Sequence, residues 1–231
     1  MIKEAIILAG GLGTRLRSAV PELPKCMAPV GGRPFIHYIT DYFRRAGITH
    51  FIFALGYKSD YFDAFFLEDF PSGGYSVSLE HEPLGTGGAI RQACTIGHED
   101  SVLILNGDTF FGVRLAELSA FHETKDADCS LCLKPMTNFD RFGVVELDEE
   151  QRVRQFREKQ RYAAGLINGG VYALNRKRFL EENLPEKFSF EKDYLEKGHH
   201  QLYGLTQDTY FIDIGIPEDY SRVQKDLNQL L

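Results

Sequence analysis

The strongest constraint on this chain is an apolar run near its start that breaks into glycines and then delivers a cation. Ile6-Ile7-Leu8-Ala9 leads into Gly10-Gly11-Leu12-Gly13-Thr14-Arg15-Leu16. The run Ala5 to Ala9 reads as a buried strand. The glycines let the backbone pass close to a ligand with its amides turned inward, as phosphate-cradling loops do, and Arg15 would meet the phosphates at the far end. The segment lacks the third glycine of G-x-G-x-x-G and has no G-x-x-x-x-G-K-[ST], so neither the dinucleotide fingerprint nor the ordinary P-loop describes it. A tight turn with a surface arginine would use the same residues. Against that plainer reading stands Pro24-Lys25, a second cation after a short polar loop that could fold back over the same ligand.

L-A-G-G-x-G-T-R-L followed by P-K closely resembles the signature of the sugar-1-phosphate nucleotidyltransferases, also called nucleotide-sugar pyrophosphorylases. The chain has 231 residues, 43% hydrophobic and 26% charged, an ordinary globular composition for one domain with a substantial core. A formal charge of −7 argues against a nucleic-acid partner, because neutralising a phosphate backbone needs a basic face. An anionic small substrate would be held by a few local cations and a metal. No run approaches a membrane span, Met1-Ile2-Lys3-Glu4 leads straight into a strand, and the expected location is the cytoplasm. Cys26, Cys94, Cys129 and Cys132 read as reduced core thiols: the close pair, three apart on a strand, faces opposite sides.

The first half alternates strand-like and helix-like segments. Strands are expected at Ala5 to Ala9, Phe51 to Leu55, Val77 to Leu79 and Val102 to Leu105. Helices are expected at Phe35 to Ala46, Tyr61 to Phe66, Gly87 to Ile96 and Leu115 to Phe121. That order predicts an α/β fold, a Rossmann-like and mostly parallel sheet with helices on both faces and ligands at the carboxyl ends of its strands. After about Ala127 come strand-like pieces at Cys129 to Leu133, Val144 to Leu147, Val153 to Phe156 and Val171 to Leu174, an antiparallel elaboration closing over the rim. Further helices are expected near Arg176 to Glu182, Phe190 to Lys197 and Pro217 to Leu230. With no linker between them, the halves read as one domain over 1–231, with a nucleotide half to about residue 126 and a sugar half from about 127.

Two carboxylates stand out. Asp108 ends the aliphatic strand in Leu105-Asn106-Gly107-Asp108, and Asp213 sits inside the apolar Phe211-Ile212-Asp213-Ile214. Burying the second is costly without a cation, and Mg²⁺ takes one or two carboxylates plus substrate phosphates, so the two make a plausible metal pair. A helix-capping role for Asp108 is the plainer alternative. In Glu80-His81-Glu82-Pro83-Leu84-Gly85-Thr86-Gly87-Gly88, the glycines would admit a flat base, with Gly85 and Gly88 its expected contacts. Guanine presents N1–H and N2–H₂ donors that one carboxylate can accept together, which makes Glu80 the first candidate and Glu82 the second. Surface charge before a helix would look similar. His199-His200 reads as structural or surface, since adjacent side chains diverge.

The resemblance to the nucleotidyltransferases covers residues 5 to about 222 and implies a role for each of these. The fold would be of the nucleotide-diphospho-sugar transferase type, with Asp108 and Asp213 holding magnesium and no organic cofactor. Nucleotide would lie against Leu8, Gly10, Gly11, Gly13, Thr14, Arg15, Lys25, Glu80, Gly85 and Gly88. The sugar phosphate would lie against Asn106, Gly143, Glu158, Lys159, Asn168, Gly169 and Glu191, with Ser189 capping the helix that carries Glu191. The reaction implied is attack of a sugar 1-phosphate on the α-phosphorus of a nucleoside triphosphate, with Arg15, Lys25 and Asp108 catalytic. The likeness is greatest to the branch that uses GTP and a heptose 1-phosphate for cell-surface polysaccharide. A mannose 1-phosphate guanylyltransferase, an amino-sugar uridylyltransferase, a choline-phosphate cytidylyltransferase-like enzyme and a silent regulatory module share the fold. The intact Arg15, Lys25, Asp108 and Asp213 speak against the last, and no aromatic cage favours the cytidylyltransferase. A homo-oligomer is compatible with the sequence. Two departures from the pattern lie near the triphosphate: Arg17-Ser18-Ala19-Val20 replaces P-L-T, and Cys26 stands where proline is usual.

Overall fold

The computed structural model describes residues 1–11, 16, 20, 22–56, 58–197 and 200–231. In chain order, β1 (Glu4–Leu8) is followed by a small ribbon of β2 (Pro29–Val30) and β3 (Arg33–Pro34), then α1 (Phe35–Ala46), β4 (His50–Leu55), α2 (Asp63–Asp69) and β5 (Tyr75–Leu79). Next come α3 (Gly85–Ile96), β6 (Ser101–Asn106), β7 (Thr109–Phe111) and α4 (Leu115–Thr124). The second half holds β8 (Cys129–Phe139), β9 (Val144–Leu147), β10 (Val153–Arg157), β11 (Tyr162–Asn175), α5 (Arg176–Glu181), β12 (Leu202–Thr206), β13 (Phe211–Asp213) and α6 (Pro217–Lys225).

β1 pairs in parallel with β4 on one side and β6 on the other, and β5 extends the sheet beyond β4. Strands flanked on both edges and covered on both faces are continuous apolar runs, and Ala5, Ile6 and Ile7 are fully buried. Alternate side chains serve two cores. Ile7, Phe53 and Leu105 pack with Phe35, Ile39 and Phe43 of α1 and with Leu115 and Leu118 of α4. Ile6, Ile52 and Ile104 pack on the other face with Ile90 and Ala93 of α3 and with Phe179 of α5. α1 stops where its sequence says it must. Gly47 takes φ +113° and donates to the Arg44 carbonyl while Ile48 donates to Phe43, a Schellman closure that only a left-handed residue completes.

The chain runs from β1 outward through β4 and β5, then returns to β6 on the other side of β1. That reversal opens a crevice at the carboxyl ends of β1 and β6, the usual ligand position in such sheets. β11 then joins β6 antiparallel through Val171 to Asn175 and runs on past it, pairing β8 over Tyr162 to Asn168. A register shift between Asn168 and Tyr172 interrupts the β8 pairing, which resumes over Tyr172 to Leu174 while the other edge of that stretch pairs β6. β9 and β10 complete the platform that faces the crevice.

The elaboration differs from the sequence expectation in physically simple ways. β11 is 14 residues long, not the four of its apolar end, because Tyr162 to Leu166 is half-exposed and carries no alternating pattern. α6 ends at Lys225 rather than Leu230, with a separate 3₁₀ turn at Leu227–Gln229. The expected helix near 190 is a single π turn, Phe190–Leu195. β7 and β13 pair across about a hundred residues, with Asp213 opposite Thr109.

Candidate active site

The carboxyl ends of β1, β4, β5 and β6 open onto a cavity of about 760 Å³, within the size range of small-molecule sites. Leu8, Gly10 and Gly11 line it from β1, Glu80 from β5, and Asn106 and Asp108 from β6. A Cβ on Gly10 would lie 2.9 Å from Glu80 Oε1 and 3.1 Å from the Gly56 nitrogen, so the glycine lets three strand ends converge. A Cβ on Gly11 would meet nothing within 4 Å among the described residues. Gly13, Thr14 and Arg15 lie outside the described residues, as do Arg17 to Ala19 and His199.

Glu80 is fixed from both ends. Its backbone N–H donates to the Leu55 carbonyl at 2.7 Å, and its Oε2 accepts the Leu84 N–H at 3.0 Å, holding the following loop. Oε1 lies on the Gly10 side of the cavity. Glu82 lines the same cavity but is exposed. The loop then pairs with the segment before the π turn: Phe188 N–H donates to the Leu84 carbonyl, and Gly87 N–H to the Phe188 carbonyl, both at 3.0 Å. Gly85 lines the cavity at φ +75°, with Phe188 O 2.5 Å from where its Cβ would be.

Lys25 and Asp108 form an ion pair at the cavity's inner edge. Asp213 joins them through the β7–β13 ladder: Ile214 N–H donates to the Asp108 carbonyl at 3.0 Å, and Gly215 N–H to Asp213 Oδ1 at 2.6 Å. A Cβ on Gly215 would sit 3.1 Å from Lys25 Nζ, so cation and second carboxylate share one corner. Burial, and after it the negative charge of Asp108, push the Asp213 carboxyl above its usual range, while Lys25, the Gly215 N–H and Arg141 draw it back. Two neighbouring carboxylates beside a space for phosphates fit Mg²⁺, which takes few protein ligands and completes its shell from substrate. Cys26, 3% exposed, is held to about 12 by burial and by Asp108, an inert thiol at the wall.

A second cavity, about 430 Å³, lies against the platform of β8 to β11. Gly143, Glu158, Lys159, Asn168 and Gly169 all line it, with Asp213 at its edge. Asn106 and Glu191 line both cavities, so the two spaces meet there. Asn168 spans the β11 irregularity, donating to the Tyr172 hydroxyl at 2.8 Å and accepting the Gly170 N–H at 3.1 Å. Glu191 Oε2 accepts from Thr86 Oγ1 at 2.7 Å and from Ser189 Oγ at 3.1 Å, while Ser189 caps the π turn by accepting the Lys192 N–H. π turns of this kind recur at functional sites.

Residues 4–229 match the family model described as nucleotidyl transferase. The chain belongs to that family. This nucleotidyl transferase is 48% identical over 230 residues to the D-glycero-α-D-manno-heptose 1-phosphate guanylyltransferase of Aneurinibacillus thermoaerophilus, covering 99% of this chain and all of that one. It is 42% identical to the enzyme of the same name from Campylobacter jejuni, over 94% of this chain and 96% of that one. Among solved structures, HddC from Yersinia pseudotuberculosis complexed with GMP-PN superposes with a TM-score of 0.88 at 34% identity, over 98% of this chain and 100% of that one.

One expected contact needs correcting in this nucleotidyl transferase. Gly88 does not line the larger cavity; it is buried, and a Cβ there would lie 2.5 Å from the Glu186 carbonyl oxygen. Its smallness lets α3 pack on the 186–188 segment, a backbone-on-backbone approach that looks in sequence like a base-binding glycine. Arg141 went without a role in the sequence, yet it lines the second cavity and pairs with Asp219. The available signal was an acidic residue in Pro217-Glu218-Asp219-Tyr220 at the start of a helix whose partner could not be placed.

Proposed function

We propose that this nucleotidyl transferase moves the guanylyl group of GTP onto D-glycero-α-D-manno-heptose 1-phosphate, giving GDP-heptose and pyrophosphate. The observation that carries the reading is the meeting of two cavities at Asn106 and Glu191, beside Lys25, Asp108 and Asp213, in a chain similar along its whole length to heptose 1-phosphate guanylyltransferases. A nucleotide in the larger space and a sugar phosphate in the smaller would bring their phosphates to that junction.

An oxygen of the sugar phosphate attacks the α-phosphorus in line. The new P–O bond forms as the α–β bridging bond breaks, and pyrophosphate leaves with the electron pair, so no covalent enzyme intermediate is needed. The demand on the protein is positioning and charge neutralisation. Lys25 has three ammonium donors, of which one is committed to Asp108, and the others serve the α-phosphate. Lys159 would hold the attacking phosphate, and Arg15 the departing one. Asp108 and Asp213 would hold Mg²⁺, which neutralises phosphate charge when bound. Glu80 would accept from the guanine N1–H and N2–H₂. Glu158, Asn168 and Glu191 would face the heptose hydroxyls. The reaction would take place in the cytoplasm, where GTP is at hand, and GDP-heptose would be an activated donor for a cell-surface polysaccharide.

The test is a matrix of the four common nucleoside triphosphates against heptose, mannose, glucose and N-acetylglucosamine 1-phosphates, read by pyrophosphate release. GTP with the heptose should be turned over most efficiently. A tenfold advantage for any other pair overturns the substrate assignment.

A further inference from the structure

Asp219 lies in the first turn of α6 and is only 6% exposed, so its carboxylate requires partners. It has two guanidinium groups. Arg222 Nη2 reaches Oδ1 at 3.2 Å from one turn along the same helix, and Arg141 Nη2 reaches Oδ2 from the connection between β8 and β9, 78 residues away in sequence. Arg222 already supplies one countercharge to Asp219, and the Arg141 charge acts also on the Asp213 carboxyl at the same cavity. Arg141 lines the sugar-side cavity together with Lys159, Gly215 and Ile216, and Arg222 does not.

Three features make Arg141 the prepositioned cation of that cavity. Its guanidinium is tied to a buried carboxylate and lies 5.3 Å from the Phe142 ring centroid, so it is held from two directions. Only one of its five N–H groups is used in a bond among the described residues, leaving a planar fork that suits two oxygens of one phosphate. The neighbouring cations are less suited: Arg157 is tied to Glu146 at 2.5 Å, and Lys159 and Lys192 are exposed with no ion pair among the described residues. An in-line attack needs the attacking phosphate held in direction as well as attracted.

We propose that Arg141 binds the phosphate of the sugar 1-phosphate, and that Asp219 acts as the positioning residue that holds it at the cavity wall. The inference rests on the proposed reaction. It adds a fixed bidentate ligand to the sugar-phosphate subsite and gives a buried acid of α6 a function.

The test measures calorimetric affinity for heptose 1-phosphate in the presence of a non-hydrolysable GTP analogue, and KM for each substrate, in the wild type and four variants. Arg141→Met should weaken heptose 1-phosphate binding by about 10- to 100-fold, the loss of a charge-assisted contact, with KM for GTP changed less than threefold. Arg141→Lys keeps a charge but not the fork and should lose about 3- to 10-fold, and it decides the matter if the Met variant melts below assay temperature. Asp219→Asn should weaken the sugar phosphate and spare GTP, whereas Arg222→Met should leave both unchanged. Sugar-phosphate affinity within twofold of wild type in folded Arg141→Met or Arg141→Lys overturns the inference, as does an equal loss for both substrates. A wild type that uses no sugar 1-phosphate with GTP overturns the proposed reaction itself, and the inference falls with it.

Discussion

Glu80→Gln changes one oxygen into an amide nitrogen at a point where both orientations of the new side chain carry a cost. In the native protein, Oε2 accepts the Leu84 N–H at 3.0 Å and Oε1 lies on the Gly10 side of the cavity. If the Gln oxygen keeps the Leu84 bond, its NH₂ faces the cavity and meets guanine N1–H and N2–H₂ donor to donor. If the amide flips, the loop loses its anchor and a donor faces the Leu84 N–H instead. Charge-assisted hydrogen bonds are worth about 1.5–3 kcal/mol each, so kcat/KM for GTP should fall by about 2 kcal/mol, roughly 30-fold. The assay is pyrophosphate release with GTP and with ITP, which keeps N1–H but lacks the 2-amino group. The native protein should prefer GTP, and the variant should narrow that preference. If the variant uses GTP within threefold of wild type, and ITP equals GTP in the native protein, the base is read by the backbone around Gly85 and Thr86 and the carboxylate argument is wrong.

Asp108→Asn and Asp213→Asn should each lower kcat by about 100-fold or more, and excess chelator should abolish turnover; full activity in chelator refutes the metal role. Lys25→Ala should depress kcat far more than it raises KM for GTP, because its contact strengthens as charge builds at the α-phosphorus; a pure KM effect counts against it. His122, buried with Nδ1 3.0 Å from Ser130 Oγ, is lowered to about 4, chiefly by burial. The unfolded chain takes up that proton near pH 6.5 and the folded chain only near 4, so the stabilisation is present above pH 6.5 and is lost as pH falls towards 4. Urea unfolding should show wild type losing about 2 kcal/mol more than His122→Asn between pH 7 and pH 5, and equal losses would remove the argument.

The parts legible in the sequence are those whose physics is local. α1 could be bounded at both ends because its apolar spacing and its Gly47 stop lie within fourteen residues, and the aliphatic centre of β6, Val102 to Leu105, stood out because a doubly flanked strand is apolar, though its polar ends Ser101 and Asn106 did not. Asp108 was readable as a carboxylate ending an aliphatic strand and Asp213 as a costly one inside an apolar strand, but the ladder that joins them was not. β7 and β13 have three residues each, and their pairing is fixed by a register between segments about a hundred residues apart. The two glycines of the base loop could not be told apart for a similar reason. Gly85 and Gly88 both face the 186–188 segment, and only Gly85 also opens onto the cavity. Arg141 stayed without a role because its anchor, Asp219, arrives from the far end of the chain.

The backbone bonds between Leu84, Gly87 and Phe188, reinforced by the Thr86–Glu191 and Thr86–Phe190 contacts, make the loop at the larger cavity and the turn where the two cavities meet a single mechanical piece. Neither can be displaced without dragging its mate. If GTP and the heptose phosphate occupy the two cavities as proposed, any ordering of this piece by one would favour the other, and by the same amount in either order, since linkage between two binding events is reciprocal. Through a crosswise weave of this kind, occupancy of one pocket would register in the other without any moving domain.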